Sequence, residues 1–113
     1  MKLEGPGERL TIFVEETDQH GNQPVYAEIV HRARKAGLAG ASAFRGLEGF
    51  GASSRIHELH AFDLEEDVPV VIVIVDEPAR IEAFLPELDG LVSQGLIVRE
   101  PVHVLSFRRR SGR

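Results

Sequence analysis

Two apolar runs, each followed by a helical stretch opened by a proline, predict an α+β fold for this 113-residue chain. A further strand-like segment follows each helix, so the order reads β-α-β, loop, β-α-β. That is the split-βαβ or ferredoxin-like arrangement, an antiparallel sheet with two helices on one face. The third observation is the glycine-rich loop between the halves, which carries most of the functional signal.

Leu10, Ile12 and Val14 alternate with Thr11, Phe13 and Glu15, the period of a strand. Polar residues 15–22, with Gly21, read as a turn. Pro24 suits a first helical position, where its missing N–H costs nothing. Val25, Ile29, Ala33 and Ala36 then recur at helical spacing, Arg32, Arg34 and Lys35 favour the negative end of the helix dipole, and Gly37 is a good exit residue. Residues 38–45 read as a second strand. Its small side chains, Ala39 to Ala43, suggest something packs close to it, such as another subunit.

Val68 to Val75 is β-branched and apolar on both faces, hence a central strand. Asp76 is expected to cap the helix that Pro78 opens, and Ile81, Phe84, Leu85 and Leu88 form its apolar stripe. Pro86 is expected to kink that helix or restart it. Gln94-Gly95-Leu96 echoes Ala36-Gly37-Leu38 as the exit into the last strand, which runs from Ile97 to Phe107 with a bulge or edge break expected at Pro101. With helices on one sheet face, the other, carrying Thr11 and Phe13, is too apolar to stay wet, so an oligomer is expected.

The chain has no cysteine, which excludes disulfides and thiolate metal sites. Its longest apolar run is far too short to cross a bilayer, and Met1-Lys2-Leu3-Glu4 lacks a signal-peptide core, so a cytoplasmic protein without direct membrane insertion is expected. A net charge of −5 argues against nucleic acid as a partner. The charge is uneven: Asp63, Glu65, Glu66 and Asp67 cluster, while Arg108, Arg109, Arg110 and Arg113 form a basic tail.

The segment Arg45-Gly46-Leu47-Glu48-Gly49-Phe50-Gly51-Ala52-Ser53-Ser54-Arg55-Ile56-His57 has the composition of a binding loop. Glycines at 46, 49 and 51 let backbone N–H groups approach a ligand, and flanking arginines supply charge for a small anion. Their spacing is neither a dinucleotide fingerprint nor a P-loop. A ligand- or partner-binding loop is favoured over a plain surface loop, because two pairing strands need only a short connection. His57 and His60 are three apart, not the four that would place both on one face of a zinc-protease helix. No metal site or catalytic set is assigned. The alternative is a small metal-responsive oligomer or enzyme using His57 and His60. Gly49-Phe50-Gly51 shares features with RNA-recognition motifs, but Phe50 falls in the loop rather than on the third strand.

Arg45-Gly46-x-x-Gly49-Phe50-Gly51, Ile56-His57, Asp67-Val68-Pro69-Val70-Val71-Ile72, Val75-Asp76 and Leu85-Pro86 together resemble the PII-like signalling proteins. More narrowly, they resemble a small uncharacterised bacterial family in that group, domain-of-unknown-function family 190. The resemblance implies a single PII-like domain over 9–107, a long loop at 46–62, and tails at 1–8 and 108–113. It implies a regulatory homotrimer, not an enzyme, that binds an effector such as an adenine nucleotide in clefts between subunits. The residues themselves fix no cofactor. The implied effector-binding residues are Arg45, Gly46, Gly49, Gly51, Arg108 and Arg110. Phe50, Ser53, Arg55 and His57 would meet a protein target, such as a membrane transporter. Arg108-Arg109-Arg110-Ser111-Gly112 resembles the Arg-x-Arg-Thr-Gly end of the PII pattern. The loop departs from that pattern in lacking a tyrosine for nucleotidylation, and the turn at Gln94-Gly95 lacks the PII lysine.

Overall fold

The computed structural model describes residues 3–50, 57–58 and 68–109, with backbone only at 57–58. Its elements in chain order are β1 (Gly5–Glu15), β2 (Gln19–His20), β3 (Gln23–Pro24), α1 (Val25–Lys35), β4 (Ala41–Arg45), β5 (Glu48–Gly49), β6 (His57–Glu58), β7 (Pro69–Asp76), α2 (Pro78–Leu91) and β8 (Leu96–Val104). Four strands form one sheet in the order β4-β7-β1-β8, every pair antiparallel. This is the expected ferredoxin-like α+β sandwich.

The period-2 alternation does what it predicts. Leu10, Ile12 and Val14 of β1 and Val70, Ile72 and Ile74 of β7 turn to one face, where Val25, Ile29 and Ala33 of α1 and Ile81, Phe84, Leu88 and Leu91 of α2 cover them. Ile12 lies opposite both Ile72 and Ile97, so a single row of aliphatic side chains crosses β7, β1 and β8. α1 ends as expected: the Leu38 amide donates to the Ala33 carbonyl and the Gly37 amide to the Arg34 carbonyl, a Schellman closure.

Among the described residues, no element covers the opposite face. Phe44, Val71, Phe13 and Leu96 stand in register across all four strands, with Ser42, Val73, Thr11 and Val98 as the next row. Phe44 is 58% exposed and Leu96 56%.

Several sequence expectations need correction. β1 starts at Gly5, inside the segment expected to be a tail, because Gly5 and Gly7 pair with Val104 and Val102. Pro24 stands one residue before α1, in extended conformation, and the second strand starts at Ala41 rather than Leu38. Asp76 is not the cap of α2. It closes β7 with a wholly buried carboxylate, and Glu77 holds the cap position. Pro86 does not restart the helix, since α2 is assigned through it as one element with Pro86 on the exposed side. β8 shows no bulge: its register with β1 is continuous through Pro101, which an edge strand tolerates. The echo between the two helix exits is compositional only. α2 ends four residues before Gly95, and a Cβ on Gly95 would lie 2.5 Å from the Phe13 carbonyl oxygen.

Arg99 fastens the β8 edge. Its guanidinium donates to Glu82 of α2 at 2.6 Å and to Glu8 of β1, and those two hydrogen bonds raise its pKa further above the ordinary arginine value.

Candidate functional site

The central loop leaves the sheet at the end of β4 and returns at the start of β7, and its two feet are joined by backbone. The Gly46 amide donates to the Pro69 carbonyl at 2.7 Å, extending the β4–β7 ladder by one bond. Three residues on, Glu48–Gly49 pairs with His57–Glu58, so Gly49 stands opposite His57. The loop therefore begins as a narrow ribbon.

Gly46 earns its identity from packing. A Cβ there would lie 2.8 Å from Pro69 Cγ and 3.3 Å from the Pro69 carbonyl oxygen, too close for any real side chain to be accepted without movement. A Cβ on Gly49 would meet the same Pro69 Cγ at 3.4 Å, an ordinary contact. The first glycine of the motif thus lets β4 and β7 close on the proline, a role separate from any ligand.

Arg45 ends β4 on the helix-covered face at the sheet margin, opposite Val70. Its guanidinium makes a two-pronged fork on Glu16: Nε donates to Oε2 and Nη2 to Oε1, each at 3.0 Å. Glu16 also donates its own amide to the Val68 carbonyl at 2.8 Å, so one residue grips both feet of the loop. Neither Glu16 nor Pro69 was legible as part of the site. Arg45 and Glu16 lie 29 residues apart, and no local pattern joins them. Phe50 is 69% exposed at the far side of the ribbon. Gly51, Ser53, Arg55, His60 and the acidic cluster at 63–67 lie outside the described residues, as do the side chain of His57 and all of Arg110.

The tail takes a different place. After Val104 the chain crosses to the start of β4, where the Arg109 guanidinium donates to the Ala39 carbonyl at 3.3 Å and lies 5.5 Å from the Phe107 ring centroid. Arg108, next to it, is exposed. Arg45 follows Ala39 by six positions, up to about 20 Å of extended chain. Arg45 and Arg109 therefore stand at opposite ends of β4.

A groove between α1 and α2, lined by Glu28, His31, Arg32, Lys35 and Glu87, is a third polar feature. Arg32 bridges the two helices there, donating to Glu28 and Glu87 at 3.1 Å each, and those bonds raise its pKa. Among the described residues no three histidine, aspartate or glutamate side chains gather as metal ligands, and no helix is long and apolar enough to cross a membrane.

A two-helix, four-stranded antiparallel sandwich, with a loop footed between the edge strand β4 and its neighbour β7, defines the class: a ferredoxin-like domain. The chain belongs to the DUF190 family, described as Uncharacterized ACR, whose profile matches residues 7–104. A UPF0166 protein of Aquifex aeolicus is 38% identical over 96 residues, covering 85% of this chain and 90% of that protein. Another, of Methanocaldococcus jannaschii, is 30% identical over 96 residues, covering 84% and 88%. Two solved structures of CPII, a nitrogen regulatory PII-like protein from Thiomonas intermedia, share the fold over 88% of each chain. One, bound to ADP and bicarbonate, is 21% identical with a TM-score of 0.55. The other, bound to ADP, AMP and bicarbonate, is 19% identical with a TM-score of 0.59. The resemblance read from the sequence holds for both fold and family.

Proposed function

We propose that this chain is a PII-like regulatory protein that acts by binding rather than by catalysis. Its subunits associate as a trimer through the open sheet face. A small anionic effector, an adenine nucleotide, sits in each cleft between Arg45 and the loop foot of one subunit and the tail arginines, Arg108 and Arg110, of its neighbour. The effector state is passed to a protein target, such as a membrane transporter, by the loop at 46–62, with Phe50, Ser53, Arg55 and His57 on its contact surface. The domain spans 9–107, preceded in β1 by residues 5–8.

The observation that carries this reading is the separation of Arg45 from Arg108 and Arg109, the described tail arginines, along β4. Within one chain the two groups face different regions, so a ligand using both requires a second subunit. The uncovered row Phe44–Val71–Phe13–Leu96 supplies a surface for that subunit. Nucleotide binding in CPII, which shares the fold, supports the ligand class.

Isothermal titration of ADP into the purified protein tests the reading. Saturable binding is expected, weakened about tenfold or more by Arg45→Ala and by Arg108→Ala with the melting temperature little changed. Absence of binding in folded protein, or unchanged affinity in both variants, would overturn it.

A further inference from the structure

We infer that Glu16 is a built-in competitor for the effector, resting on the reading of Arg45 as an effector-binding residue. A carboxylate and a phosphate present the same chemistry to a guanidinium: a planar fork donating to paired anionic oxygens. Glu16 already occupies that fork with two bonds of 3.0 Å. An incoming anion that takes the Arg45 fork in the same geometry has to displace the Glu16 carboxylate.

Displacement has a structural consequence because of where Glu16 sits. Its amide donates to the Val68 carbonyl at the returning foot of the loop, while its carboxylate holds Arg45 at the departing foot. Beside them, Gly46 and Pro69 share the last backbone bond of the β4–β7 ladder. Releasing the carboxylate removes the Glu16 side chain from this clasp. The departing foot then loses its tie to Glu16 and keeps the Gly46–Pro69 bond. Effector binding and loosening of the loop foot become one event, a coupling between ligand and loop with a named two-state contact.

The competition sets a direction for affinity. In the wild type an anion must break an exposed ion pair before it binds, and Glu16→Gln removes that competitor while keeping the shape of the side chain. The Arg45–Glu16 pair is half exposed, so its contribution is that of a surface pair. Glu16→Gln is therefore expected to bind ADP about two- to fivefold more tightly than wild type. Glu48→Gln is the control: it removes the same charge three residues along from Arg45 without touching the fork, and is expected to leave affinity nearly unchanged.

ADP titration into wild type, Glu16→Gln and Glu48→Gln, each checked for folding by thermal melt, distinguishes the outcomes. Tighter binding confined to Glu16→Gln supports the competitor. Equal or weaker binding by Glu16→Gln, or the same gain in Glu48→Gln, overturns it and leaves the regulatory reading standing. No binding by any of the three overturns both.

Discussion

The Asp76 carboxylate, at the end of β7, accepts a hydrogen bond of 2.9 Å from the Ala39 amide, which belongs to the turn between α1 and β4. The same carboxylate accepts from the Glu77 amide at 2.7 Å and from Arg80 Nε at 3.3 Å. Arg80 in turn donates to the Gly37 carbonyl. One buried charge thus ties the two βαβ halves together and is satisfied on both oxygens, as a charge without access to water must be.

Removing it should be costly. Asp76→Ala leaves two amides and a guanidinium without their acceptor, a loss of about 3 kcal/mol or more. Asp76→Asn keeps one acceptor oxygen but turns an NH2 toward a donor, and should lose about 1–3 kcal/mol. Urea denaturation followed by circular dichroism measures both. Equal stability of Asp76→Ala and wild type would show that the network contributes nothing.

Gly46 and Pro69 should behave as a coupled pair. Gly46→Ala forces a methyl to within 2.8 Å of Pro69 Cγ, an overpacking expected to destabilise by about 1–3 kcal/mol. Adding Pro69→Ala removes the nearer of the two obstacles and should recover most of that loss. A double-mutant cycle of melting temperatures reads the coupling directly. Additive losses would mean that the glycine is needed for another reason.

The open sheet face should control assembly. Phe44→Asp or Phe13→Asp places a charge in the row that crosses all four strands, on the face away from the core, so the fold should survive while association fails. Light scattering coupled to size exclusion should show wild type as a multiple of the chain mass and the variants as single chains. A wild type that is itself a single chain would remove the basis for clefts between subunits.

What the sequence made legible follows from the range over which each signal acts. The strands around Leu10–Val14 and Val68–Val75, both helices and the Gly37 exit are written in local periodicity and capping chemistry, and they hold. The extension of β1 to Gly5 was invisible because Gly5-Pro6-Gly7-Glu8 has no alternating side chains of its own; its order comes from Val102 and Val104, about a hundred residues away. Asp76 followed by Pro78 reads locally as a cap, and only Ala39, from the other half of the chain, reveals its actual partner. The glycine motif reads locally as one ligand loop, but Gly46 serves Pro69, a contact that depends on β4 pairing with β7. Arg45 was legible as a charge and Glu16 was not, since surface ion pairs leave no trace in sequence spacing.

The hydrogen bond between Gly46 and Pro69 has a consequence for how this family can change. The stretch between those residues departs and returns through neighbouring backbone positions, so its two ends join the scaffold at adjacent points. Doubling the length of such an insert adds only about 0.6 kcal/mol of closure entropy. The sandwich can therefore serve as a socket into which loops of different length and recognition chemistry are exchanged, each new partner reached without redesigning the platform that holds it.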